Sequence, residues 1–137
     1  MLRVEEIANF EYPSVYEDET VTKARAILRD FSLRMLPITN LEKRLLGVIT
    51  RRDVMIISSS KSPIKVRGIM TYPRHVAQLG DDVYQTVRKM IKVDEWYVPL
   101  VNSFKEKVLL GVIGLENFID QIIRHGPEKL ALPVSRL

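Results

Sequence analysis

The chain has 137 residues, 21 of them basic and 17 acidic, which gives a net charge of +4 and a mild tilt toward anionic partners that does not by itself indicate nucleic acid. That length supports a substantial core, and the complete absence of cysteine excludes disulfides, thiol catalysis and thiolate metal sites. No apolar run approaches the ~20 residues of a membrane helix and neither end shows a charged-then-apolar signal pattern, so a cytoplasmic protein is expected.

In chain order, an extended segment at Val15 precedes Val21, Ala24, Ile27, Leu28 and Phe31, which recur at helical spacing and predict about three turns from Thr20 with one buried stripe. A short buried strand, Met35-Leu36-Pro37-Ile38, follows. Residues Asn40 to Arg44 read as a turn, Leu45 to Ile49 as the returning strand, and Thr50 as the opening of a helix over Arg51 to Ile57. The run from Ser58 to Pro63 is linker-like. The second half repeats this order. An extended segment at Val76 leads to a stripe of Val83, Val87, Met90 and Ile91, with Asp81 and Asp82 as cap and dipole-favoured acid. Strands Tyr97 to Val101 and Val108 to Ile113 come next, then a helix over Glu116 to Arg124 that Gly126-Pro127 stops, and a short tail.

The two halves align residue by residue. Leu45-Leu46-Gly47-Val48-Ile49-Thr50 is echoed by Leu109-Leu110-Gly111-Val112-Ile113-Gly114, and Val4, Ile7, Val21, Leu28, Pro37 and Asn40 stand over Val66, Ile69, Val83, Met90, Pro99 and Asn102. The second half carries two extra residues between Asn102 and Gly111, where a hairpin loop absorbs them. The expected architecture is α/β (α+β): two tandem repeats, each a small three-stranded sheet with two helices, related by a pseudo-twofold axis. The repeats are drawn at residues 1–60 and 61–125, with a C-terminal tail at 126–137.

This order, with its doubled Leu-Leu-Gly-Val-Ile strand behind a Leu-Pro or Val-Pro strand, resembles the cystathionine-β-synthase-type (CBS) repeat, which occurs in pairs as the Bateman module. The resemblance runs from about Val4 to Ile123 and looks like a stand-alone module. It implies a sensor whose clefts hold AMP, ADP, ATP or S-adenosylmethionine. The family's ligand motif, Gly-apolar-x-Thr/Ser-x-x-Asp, is complete in the first repeat as Gly47-Val48-Ile49-Thr50-Arg51-Arg52-Asp53. The second reads Gly111-Val112-Ile113-Gly114-Leu115-Glu116-Asn117, which lacks both the hydroxyl and the carboxylate. One well-made site and one degenerate cleft are therefore expected.

The chemistry of that motif follows from its residue types. Thr50 opens a helix, where free amides and the dipole favour an anion, and its hydroxyl can reach a phosphate. Asp53, one turn on, suits the vicinal hydroxyls of a ribose. Arg51 and Arg52 add cations able to grip phosphate oxygens, and Mg²⁺ could accompany the phosphates. Without any ligand, the same Thr50 and Asp53 make a capping box. By similarity to the family the adenine slot comes from Ser14, Val15, Met35, Leu36 and Pro37, with Arg34 as a further phosphate-facing candidate.

His75 and His125 read as surface histidines, and Trp96 as a packing or interface residue. No acid–base pair beside a histidine and no glycine-rich phosphate loop is evident, so catalysis is not expected. A regulatory module read by an unidentified downstream protein is the leading expectation. A purely structural dimerisation or interaction module is the alternative, and weak nucleic-acid binding ranks last. Ile27, Phe31, Ile119 and Ile123 offer apolar surface for a homodimer. High charge with few Asn and Gln leans toward a thermophile.

Overall fold

A computed structural model describes residues 1–56 and 64–126. The linker-like run from Ser58, Ile57 and the tail beyond Gly126 lie outside the described residues. Two compact units emerge: one of residues 13–73, the other of residues 1–12 together with 74 onward. In chain order the elements are β1 (Val15–Tyr16), α1 (Val21–Asp30), β2 (Met35–Thr39), β3 (Leu45–Thr50), α2 (Arg51–Ile56), β4 (Ala77–Gln78), α3 (Val83–Val93), β5 (Tyr97–Val101), β6 (Leu109–Gly114) and α4 (Leu115–His125). Single 3₁₀ turns at Val4–Glu6 and Val66–Gly68 complete the set. Each unit holds one three-stranded sheet, ordered β1-β2-β3 or β4-β5-β6, with one parallel and one antiparallel pair. The α/β expectation is met, one sheet and two helices per repeat.

The compact units do not follow the cut at residue 60. Val4 N donates to the Asp81 carbonyl and Val83 N to that of Leu2, at 2.9 Å each. The same pattern recurs between Val66 and Glu19 (2.8 Å) and between Val21 and Ile64 (2.9 Å). Each leading segment thus serves the helix of the other repeat. The exchange extends to the sheets: Asn9 pairs with Val112, and Thr71 with Val48, through reciprocal backbone hydrogen bonds of 2.8–3.1 Å. Sequence repeats and packing units differ because an exposed strand edge takes whichever backbone reaches it.

The repeated glycine follows from this pairing. A Cβ on Gly47 would stand 2.9 Å from the Thr71 carbonyl oxygen, and one on Gly111 2.5 Å from that of Asn9. A side chain at either site would push the closing backbone off the strand. The hairpins are set by Asn40 and Asn102, whose Oδ1 atoms each accept two loop amides. The second loop is two residues longer, as the alignment requires.

Helix starts behave as their residues dictate. Thr20 Oγ1 accepts from Lys23 N at 3.2 Å, and Asp82 Oδ2 from Gln85 N at 3.0 Å. In residues 13–73 the core gathers Val15, Val21, Ala24, Leu28, Leu36, Ile38, Ile49, Val54 and Val66. In the other unit it gathers Leu2, Val4, Ile7, Ala77, Val83, Val87, Met90, Val98, Leu100 and Ile113. Two expected stripe members are not in it: Phe31 is 64% exposed and Ile91 69%. Phe31 follows the last turn of α1, and Ile91 sits next to Met90 on a helix with room for one buried stripe. The second extended segment begins one residue late, at Ala77 rather than Val76.

His75 corrects the surface assignment. It is 6% exposed, and its Nδ1 is the one buried side-chain polar atom without a hydrogen-bond partner among the described residues. Burial first, then the nearby Lys89 charge, lowers its pKa to about 4, against an opposing pull from Asp81.

Two measurements check these points. Gly111→Ala should cost about 1–3 kcal/mol in urea unfolding, and Gly47→Ala less, because overpacking against backbone is relieved only by displacing it. For His75 the unfolded chain binds the proton near pH 6.5 and the folded chain only near 4. The stability this neutral imidazole contributes is complete above 6.5, falls as pH drops toward 4, and changes no further below that. The loss is of order 3 kcal/mol, and His75→Gln should flatten the stability curve across this interval relative to wild type.

Candidate ligand-binding site

All ten sequence-derived site residues fall in the unit of residues 13–73. β1 runs parallel to β2 with Val15 opposite Ile38, and β2 antiparallel to β3 with Met35 opposite Thr50. This register brings the start of β2 and the end of β3 to one end of the sheet, whereas Val15 pairs toward the far end of β2, with Ser14 just before it. Alternation along β2 then divides the slot residues. Leu36 is fully buried and packs in the core with Val15, Ile38 and Ile49, so these two serve the core. Met35 and Pro37 belong to the opposite face of the strand and are also buried. Ser14 and Arg34 are exposed.

At the junction of β3 and α2 the capping box is formed. Asp53 Oδ2 accepts from Thr50 N at 2.8 Å and from the Thr50 hydroxyl at 3.0 Å, while Thr50 Oγ1 accepts from Asp53 N at 3.3 Å. Both residues are half-buried. The second carboxylate oxygen, Oδ1, accepts no hydrogen bond among the described residues. Asp53 thus starts the helix with one oxygen and keeps the other.

The arginines divide in the same way. Arg51 donates through Nε to the Leu33 carbonyl at 2.7 Å, and its backbone N to the Arg34 carbonyl at 3.2 Å, which locks α2 to the turn after α1. Arg52 is exposed and makes no hydrogen bond or ion pair among the described residues. Sequence reasoning missed Arg25, whose Nη2 donates to the Val54 carbonyl at 3.0 Å and satisfies a free end of α2. It also missed Met70 and Thr71, which border Gly47. The glycine itself was the signal for their approach.

The second repeat copies the backbone but not the chemistry. Gly114 N donates to Asn117 Oδ1 at 2.7 Å, and Leu115 N to the Trp96 carbonyl at 3.0 Å. An amide replaces the carboxylate, the hydroxyl is gone, and Leu115 and Glu116 stand where Arg51 and Arg52 do. Trp96, in place of Arg34, is about half exposed and hydrogen-bonds through Nε1 to Asp94 Oδ1 at 3.2 Å. Tyr97 contacts Tyr12 with ring centroids 6.4 Å apart. Among the described residues no group of three or more His, Asp or Glu could hold a metal ion, and no helix is long and apolar enough to cross a membrane.

A substitution separates the cap from the motif's other roles: Thr50→Ala should cost about 1 kcal/mol in thermal or urea unfolding from the lost cap contact, with the two sheets intact by circular dichroism.

Residues 4–60 match the model of the CBS domain family. The chain is 28% identical over 122 residues to a homoserine O-acetyltransferase from Methanococcus vannielii, covering 87% of this chain and 24% of that protein. It spans about a quarter of the length of the curated relatives it matches. The CBS domains of a transcriptional regulator from Streptococcus pneumoniae superpose with a TM-score of 0.77 at 26% identity, over 88% of this chain and 98% of that one. A CBS domain pair in complex with 5′-methylthioadenosine and S-adenosyl-L-methionine superposes at 0.75 with 21% identity, over 89% and 96%. The first repeat thus matches the CBS domain family, and the chain as a whole has the fold of a CBS domain pair.

Proposed function

We propose that this chain is a non-catalytic regulatory module whose first repeat binds an adenosine-containing ligand: AMP, ADP, ATP or S-adenosylmethionine. The observation that carries the reading is Asp53 Oδ1, which the capping box orients and which accepts no hydrogen bond among the described residues, next in sequence to Arg52, which likewise has no partner among them. An oriented carboxylate oxygen suits ribose hydroxyls, and a free guanidinium suits phosphate or carboxylate. The second repeat has the same turn with neither group, so it makes the weaker contribution. Similarity to a CBS pair crystallised with 5′-methylthioadenosine and S-adenosyl-L-methionine supports the ligand class. Any Mg²⁺ would arrive with the ligand's phosphates, since no protein cluster for it stands among the described residues. Ligand binding then shifts populations that a downstream protein reads. A homodimer fits the exposed Phe31 on α1's end and Ile119 and Ile123 on α4.

The closed capping box favours one rival, a structural module that has lost its ligand, because Thr50 and Asp53 already satisfy each other in part. Thermal-shift titration with AMP, ADP, ATP and S-adenosylmethionine, with and without Mg²⁺, separates the two. A ligand at a hundredfold its Kd should stabilise the fold by about 2.7 kcal/mol. Asp53→Asn preserves the cap acceptor that Asn117 already provides in the second repeat, and should abolish the shift at unchanged basal stability. Asn117→Ala should leave it. No shift with any of the four ligands leaves the structural reading standing.

A further inference from the structure

On α3, Arg88, Lys89 and Lys92 line a shallow groove together with Gln85 and Val93. These positions share one helix face, and Arg88 to Lys92 spans about 6 Å of helix rise. All three cations are exposed, and none makes a hydrogen bond or ion pair among the described residues. Six other surface cations have acidic partners: Lys23 with Glu19, Arg29 with Asp30, Arg44 with Glu42, Arg67 with Asp18, Arg74 with Glu95 and Arg124 with Asp120. Like charges four apart destabilise a helix, so α3 is locally more favourable with an anionic partner.

The flank of this stripe is apolar. Ile91, three residues from Arg88, is 69% exposed, and Tyr84, four residues before Arg88, lies beneath its guanidinium at 5.8 Å. Phosphate alone has no use for that edge. A polypeptide helix with carboxylates on one side and aliphatic residues beside them matches both halves.

We propose that the α3 face formed by Arg88, Ile91 and Lys92, bordered by Lys89, docks an acidic amphipathic helix of a partner protein. Carboxylates four residues apart on the partner meet Arg88 and Lys92, and its aliphatic side chains cover Ile91 and Tyr84. The field of the stripe reaches inward as well, since Lys89 helps hold the buried His75 neutral.

The test uses the whole chain without adenosine ligand, so its outcome is independent of the nucleotide reading. Fluorescence anisotropy at low salt measures binding of a labelled helical peptide of Glu and Leu with its leucines on one face. A Glu–Ser peptide of equal charge and a twenty-residue oligothymidylate are the comparisons. Saturable binding is expected for the Glu–Leu peptide. Arg88→Glu with Lys92→Glu should weaken it at least tenfold, Ile91→Ser should weaken it severalfold, and the same charge reversal at Lys43 and Lys105 should change it less than about twofold. Equal loss from both charge reversals, equally tight binding of the Glu–Ser peptide or the oligothymidylate at this face, or no saturable binding would each overturn the proposal.

Discussion

The close approach of one backbone to the glycine strand of each sheet is the constraint on which the rest depends. Val48 and Val112 present strand-edge amides and carbonyls that would otherwise lack partners, and Thr71 and Asn9 supply them. That contact exists only because residues 47 and 111 have no Cβ to block the closing carbonyl. The partner lies about a hundred residues away in the case of Asn9 and Val112, so a compact unit here is assembled from both ends of the sequence. A hundred-residue loop is closed for a short stretch of pairing, and the core cluster that includes Leu2, Val4 and Ile7 offsets its entropy.

Holding the sheets in this way fixes the start of the helix after each glycine strand. Thr50 ends β3 opposite Met35, and Gly114 ends β6 opposite Tyr97. Both turns use the same donor, a backbone amide, and the same acceptor position three residues on. The backbone is therefore indifferent to whether a ligand binds. What differs is the decoration, two cations and a carboxylate in one repeat against a leucine, a glutamate and an amide in the other. Opposite local charge makes the first turn the more hospitable to an anion.

Charge placement on the remainder of the molecule follows the same economy. Six surface cations have acidic neighbours within 4 Å, where each pair contributes little to stability but cancels a local field. The α3 stripe keeps its field, and its Lys89 adds to the burial that chiefly keeps His75 neutral. A buried imidazole with no partner for its Nδ1 among the described residues is costly, and it belongs to the same unit as that stripe.

Read alone, the sequence determined the element order, the duplication, the caps at Thr20 and Asp82, and the two-residue insertion in the second hairpin, because each rests on local periodicity or a side chain bonding its own turn. The capping box at Thr50 and Asp53 was legible for the same reason, as was the asymmetry between the repeats. Tertiary structure decided which segment closes which sheet, and so made compact units whose bounds differ from those of the sequence repeats, since backbone pairing across the chain leaves only a glycine as its trace. It also decided that Leu36 and Val15 serve the core, that Arg51 is tied to the Leu33 carbonyl, that Phe31 and Ile91 face outward, and that His75 is buried. Burial is set by what packs against a residue, and those neighbours come from distant parts of the sequence.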